Sequence, residues 1–338
     1  MTKAPSSRPS RFWLYTPFVG LAFIIAIYTT YWFWMRAQLE QGIDTWIAQQ
    51  RGAGTEISYS SKRLDGFPYR FALTISNPDI SRPSTGERWR GQTLQLIMQP
   101  WNLSHVIGRA PGRNEILFVG GEPITVQLGG KSAASLSWSE NTLRRASLLL
   151  DEADISTFAG PIAVEDFAIN LGPSPSNDTV LRMAFDWNRI GLFQAPPEAD
   201  WLGDTLENGS IRAEITDGMG LVGGDLDIAT WLRGGPRIIL AQGIINWGPV
   251  RLGAKGDVGL LPMTCMADGI ANVRLENVDG LKNALEQAGQ LSDDVNAGLT
   301  GMAFASRDGG FATMTFREGV LTFLGQEAAT LPPICGTG

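Results

Sequence analysis

The chain has 338 residues, a net charge of −7 and a pI near 4.9. That acidity argues against a nucleic-acid partner and against electrostatic docking on anionic lipid. Charged residues make up only 18% and apolar ones 43%, enough for a packed core and too apolar for a disordered chain.

The tail 1–11 carries Lys3, Arg8 and Arg11. Residues 12–34, FWLYTPFVGLAFIIAIYTTYWFW, hold no charge and have aromatic rings at both ends. A hydrocarbon core of about 30 Å needs about 20 such residues as a helix. This is the pattern of a single transmembrane helix with aromatic belts. The basic residues before it set the amino terminus in the cytoplasm and everything after it outside. A cleaved signal peptide would have a shorter apolar run and small residues at the cut, whereas this run ends in YTTYWFW.

Residues 35–54 read as a juxtamembrane helix and linker, with Leu39, Ile43, Trp46 and Ile47 on one face. That face either caps the sheet that follows or lies on the membrane surface. From residue 55 to 338 the pattern is β-rich. Forty glycines separate short apolar runs, which signals many strands joined by turns. Expected strands include 56–60, 70–76, 92–99, 114–119, 123–128, 134–138, 162–171 and 179–187. Others are 210–216, 237–246, 250–253, 257–261, 270–275, 311–316 and 320–324. The expected fold is mainly β: a long antiparallel meander or curved sheet with few short helices. A loose echo between the two parts of the chain also allows two similar halves. The best soluble helix is 279–289, and 199–207 is a weaker candidate.

Within the strands, Phe71, Leu73, Ile75, Leu94, Leu96 and Met98 alternate with polar or small residues, and Phe167, Ile169, Met183 and Phe185 continue the pattern. These are the expected inward positions of an apolar groove. Alternation alone does not separate an open groove from a closed core, because both give one apolar face per strand. Between the first two strands lies Gly66-Phe67-Pro68-Tyr69-Arg70, a turn with two aromatic rings and a cation. Gly66 is expected at positive φ, and the rings are expected to plug the sheet end.

Little points to catalysis. Gly218-Met-Gly-Leu-Val-Gly223 matches a dinucleotide fingerprint, but no phosphate-binding helix start or later acidic residue accompanies it, so it reads as a glycine-rich turn. His105 is the single histidine and reads as a hydrogen-bonded structural residue. The acidic pairs Asp225/Asp227 and Asp293/Asp294 lack calcium-loop spacing. Cys265 and Cys335, both outside the membrane, are expected to form a disulfide in an oxidising compartment. No metal site, cofactor or enzyme activity is expected.

An anchor, a strand, GFPYR and a second strand resemble the DUF2125 family of alphaproteobacterial envelope proteins. The tail, Phe316-Arg-Glu-Gly-Val-Leu-Thr-Phe-Leu-Gly325 followed by Leu331-Pro-Pro333, also resembles it. More distantly, the anchored β-meander is similar to AsmA-like proteins, which form long curved sheets with an apolar, lipid-carrying groove. The resemblance implies a single-pass inner-membrane protein with its main domain in the periplasm. The leading expectation is non-catalytic handling of lipid or another apolar molecule, or support of envelope biogenesis, with lipid or another envelope protein as partner. The rival is a structural or protein-interaction module with a closed β core.

Overall fold

The computed structural model describes residues 12–140, 142–192, 197–223, 227–307, 310–323 and 325–335. The expected cytoplasmic tail 1–11 and Asp225 lie outside the described residues. The apolar span and the amphipathic stretch after it form one unbroken helix, α1 (Phe12–Gly52). At 1.5 Å per residue its 41 residues reach about 60 Å, twice a hydrocarbon core. It is long and apolar enough to cross a membrane. Gly54, at φ +88°, ends it, and Thr55 N–H donates back to the Gln50 carbonyl at 3.0 Å.

Every later strand belongs to one antiparallel sheet. The first part runs in two tiers, each rung being two short strands separated by a break. These are β1 (Glu56–Ser58) and β2 (Ser61–Asp65), β3 (Phe71–Ser76) and β4 (Asp79–Arg82), and β5 (Glu87–Gly91) and β6 (Thr93–Gln99). Next come β7 (Asn102–Arg109) and β8 (Gly112–Leu117), then β9 (Ile124–Leu128) and β10 (Ala133–Ser139). Pro78 and Pro111 mark two of the breaks, as residues that cannot donate to a ladder must. Buried Asn114 ties one break together, donating to Ala110 and Gly112 carbonyls at 2.8 and 3.0 Å. The tiers merge at β11 (Thr142–Thr157), which pairs with both β10 and β9 along one side.

Beyond it the rungs are β12 (Gly160–Ser174), then β13 (Asn177–Trp187) and β14 (Arg189–Gly191), then β15 (Thr205–Ile215). The meander continues through β16 (Arg237–Trp247), β17 (Val250–Leu260), β18 (Ala267–Glu276), β19 (Ala312–Arg317), β20 (Val320–Phe323) and β21 (Gln326–Thr330). Each rung pairs with its neighbours in sequence. Among the described residues β1, β2 and β21 pair on one side only, so the sheet is open rather than closed into a barrel. The expected antiparallel meander is therefore the observed fold.

Among the described residues four short helices follow α1 and sit at the strand ends: α2 (Met219–Gly223), α3 (Ile228–Arg233), α4 (Val278–Gln287) and α5 (Asp293–Ala305). The stretch expected as a helix at 279–289 is α4. The weaker candidate at 199–207 is divided between a 3-10 turn, Pro197–Leu202, and the start of β15. The stretches 250–253 and 257–261 are one strand, β17, because Ala254, Lys255 and Gly256 keep the ladder through the polar gap.

The core has two centres. In one, Trp32 of α1 packs with Leu64, Phe71 and Leu73 of the sheet. In the other, Leu281 and Leu285 of α4 cover Leu275. Two polar clamps hold the outer part of α1 to the sheet: Asp44 pairs with Lys62, and Arg51 Nη2 donates to the Ile57 carbonyl at 2.6 Å.

Candidate functional site

Directly opposed residues of an antiparallel sheet point to the same face. One row of partners therefore reads off that face across the whole meander. It runs Leu64, Leu73, Leu96, Gly108, Ala134, Leu148, Ile169, Phe185, Ile211, Gly243, Ala254, Val273, Ala312. The adjacent row on the same face runs Phe71, Met98, Val106, Leu136, Ala146, Leu171, Met183, Ala213, Leu240, Gly256, Ala271, Met314, Phe323. No polar side chain interrupts either row. The opposite face is mixed from β10 onward: Ser135, Ser147, Asn170, Arg212 and Gln242 share it with Ala184 and with the exposed Leu149, Ile239, Ile244 and Ile270.

Helices cover this apolar face incompletely. At one end α1 stands over β3 and β6 and leaves a cavity of about 450 Å3. Leu39, Ile43, Trp46 and Ile47 of α1 line it against Leu73, Ile75, Leu94 and Leu96. The amphipathic face of α1 therefore packs on the sheet. A second apolar cavity, of about 420 Å3, lies at the far end between Ile238, Leu240 and Val258 and the residues Trp231, Leu232 and Ile334. Between them the face is mostly half-buried, with Leu136 41% exposed, and Ile238 at the far cavity is 50% exposed.

The positions read from sequence separate into three groups. Leu73, Ile75, Leu94 and Leu96 meet in the cavity under α1. Phe71, with its partner Met98, is packed under Trp32 and is core rather than open groove wall. Phe167, Ile169, Met183 and Phe185 lie on the same face, half-buried, in the middle of the sheet. Sequence reading missed the far cavity, since the run RIILAQGIINW hides its alternation behind a bulge between Leu240 and Gly243. A larger cavity, about 570 Å3, opens on the polar face beside Arg145, Arg182, Arg212 and Glu214. Arg212 is already spent on both carboxylate oxygens of Asp186, at 2.6 and 2.8 Å. Glu214 accepts from Ser174 Oγ at 2.7 Å, so that surface reads as a solvated polar face.

The Gly66–Arg70 turn sits where α1 meets the sheet. Gly66 has φ +111°, and the Phe67–Pro68 peptide is cis. Arg70 N–H donates to the Gly66 carbonyl at 3.1 Å. The Tyr28 hydroxyl of α1 donates to the Pro68 carbonyl. Phe67 meets Trp32 edge-on, with ring centroids 5.3 Å apart, and stacks on Phe33 at 5.7 Å. Phe67, still 46% exposed, thus packs against α1, while Tyr69 points outward at 74% exposure, so neither ring is buried as a plug of the sheet end.

Cys265 and Cys335 are disulfide-bonded, with Cα atoms 5.7 Å apart. The bridge fixes the terminal segment that carries Ile334 to the far cavity.

The remaining motifs have structural roles. His105 Nε2 lies 2.7 Å from Ser135 Oγ across β7 and β10. The stretch read as a glycine-rich turn is helical at Met219–Gly223, too short to cradle a phosphate. Asp227 caps α3, accepting from Thr230 N–H at 3.1 Å, and hydrogen bonds from the Thr230 side chain and backbone hold its carboxyl below the usual range. Asp293 and Asp294 occupy the first turn of α5 behind the Ser292 cap. Among the described residues there is no cluster able to hold a metal ion.

A family model described as "Uncharacterized protein conserved in bacteria (DUF2125)" matches residues 32–326. No curated protein matches the chain. The match begins at Trp32, the helix residue that packs into the sheet, and takes in both cavities except for Ile334.

Proposed function

Since the chain belongs to the DUF2125 family, and the matched region holds almost all of its apolar face, we propose that it is a membrane-anchored envelope protein that binds lipid or another apolar molecule along that face, without catalysis. One observation carries the reading: two uninterrupted apolar rows run from the helix leaving the membrane to the last strands, and between the two cavities most of their residues are only half-buried, with Ala134 and Leu136 exposed. Soluble monomers rarely leave a contiguous apolar patch beyond a few hundred Å2. An acyl chain satisfies such a surface without hydrogen bonds, and an apolar cavity of a few hundred Å3 is of the size that takes a small-molecule ligand. In this reading α1 crosses the inner membrane with its amino terminus in the cytoplasm, and the sheet stands in the periplasm. The rival, a protein-interaction module, would cover the same face with another chain.

The test uses a chain beginning at Tyr28, because a cut after Trp34 would remove Trp32 from the core. Lipid copurifying without detergent is quantified by mass spectrometry for the parent, Leu96→Asp and Gln95→Asp. Leu96→Asp sets a carboxylate in the cavity, where it is strongly disfavoured. It should lose most of the bound lipid, and Gln95→Asp, on the other face, should keep it. A parent free of lipid speaks for the rival.

A further inference from the structure

The sheet touches α1 at the depth where that helix completes a membrane crossing. Counted from Phe12, just after Arg11, about 20 residues of helix bring the far side of the hydrocarbon to about residue 31. Two turns of the sheet are tied to α1 at this level. The Tyr28 hydroxyl holds the Pro68 carbonyl, and the Tyr31 hydroxyl holds the Pro100 carbonyl at 2.9 Å. Next to these bonds, large rings face outward: Tyr69 at 74%, Trp101 at 65% and Trp34 at 57% exposure. Arg70 is exposed beside Tyr69, and its guanidinium has no ion-pair partner among the described residues.

These three rings and the cation are gathered at one level of α1. Tyr and Trp rings favour the headgroup layer, where the ring is desolvated and its polar edge stays wet. A guanidinium there meets lipid phosphates with matched geometry. We propose that the 66–70 and 100–101 turns insert into the outer interfacial layer of the bilayer. The helix and the sheet then share one aromatic collar, and the cavity under α1 starts at the leaflet surface. The occupant of this surface is bilayer lipid. The inference rests on the membrane-spanning part of the reading above and is independent of any cargo.

The experiment uses the full chain in phosphatidylcholine nanodiscs containing nitroxide phospholipids. The native cysteines are bridged, so one added cysteine takes a fluorophore. Asn102→Cys reports beside Trp101, Thr85→Cys at the opposite edge of the sheet, and Ile24→Cys within the span. Headgroup-level nitroxide should quench the label at 102 several-fold more than at 85, and chain-end nitroxide should quench that at 24. Adding Tyr69→Ser and Trp101→Ser should bring quenching at 102 down toward that at 85. If labels at 102 and 85 behave alike while that at 24 is quenched, insertion is wrong and the anchor stands. If the label at 24 is also unquenched, the anchor reading fails and insertion with it.

Discussion

Trp32 of α1 lies stacked on Phe71 of β3, with ring centroids 5.1 Å apart and planes 26° apart. Both rings are 1% exposed. The contact fastens α1 to the sheet. Removing the indole should leave a cavity that costs about 3–5 kcal/mol. The indole N–H has no hydrogen-bond partner among the described residues, so Trp32→Phe gives up no bond and should cost much less than Trp32→Ala. Trp46, half-exposed at the cavity mouth, should tolerate alanine far better. Denaturation of the three variants in one detergent checks the ranking, and equal loss for Trp46→Ala and Trp32→Ala would remove the special place given to Trp32.

Gly66→Val should destabilise the fold strongly. A Cβ at this φ would lie 2.6 Å from the Arg70 carbonyl oxygen, which the turn itself holds in place. Arg70→Ala removes an exposed side chain with no ion-pair partner among the described residues and should change stability by no more than about 0.5 kcal/mol. Thermal melts compare them, and a parent-like melt for Gly66→Val would refute the turn geometry.

The Cys265–Cys335 bridge closes a loop across 70 positions. In the chain-entropy account this contributes about 4 kcal/mol. Unreduced protein should take up no alkylating reagent, and Cys335→Ser should lower the melting temperature and loosen the far cavity, because Ile334 loses its tether. Two reactive thiols in the unreduced native protein would contradict the bridge.

Much of this was legible in sequence, for physical reasons particular to each region. Phe71, Leu73 and Ile75 face Met98, Leu96 and Leu94 one for one, because period-two alternation fixes both face and register. The Cys pair followed from compartment. The long strand β11 was not legible. Its TLRRASLLLDEADIST sets two arginines and three leucines side by side, which breaks alternation, and only pairing with β9, β10 and β12 makes it a strand. Helix α5 was missed because only Leu299 and Met302 pack toward the α4 cluster, while Val295 and Phe304 are exposed and Gly298 and Gly301 interrupt the spacing. Trp32 looked like part of a lipid-facing belt. Its burial depends on a turn 35 positions later, which no local pattern reports.

The central claim is that the continuous apolar face holds lipid. Photo-crosslinking in native membranes tests it most directly, with benzoylphenylalanine placed at Leu136 and at Ile238 on that face. Gln95 and Gln242, on the opposite face, serve as controls. The account predicts phospholipid-mass adducts at 136 and 238 and none at 95 or 242. Protein adducts without lipid at 136 and 238, or lipid adducts equal at all four positions, would contradict it.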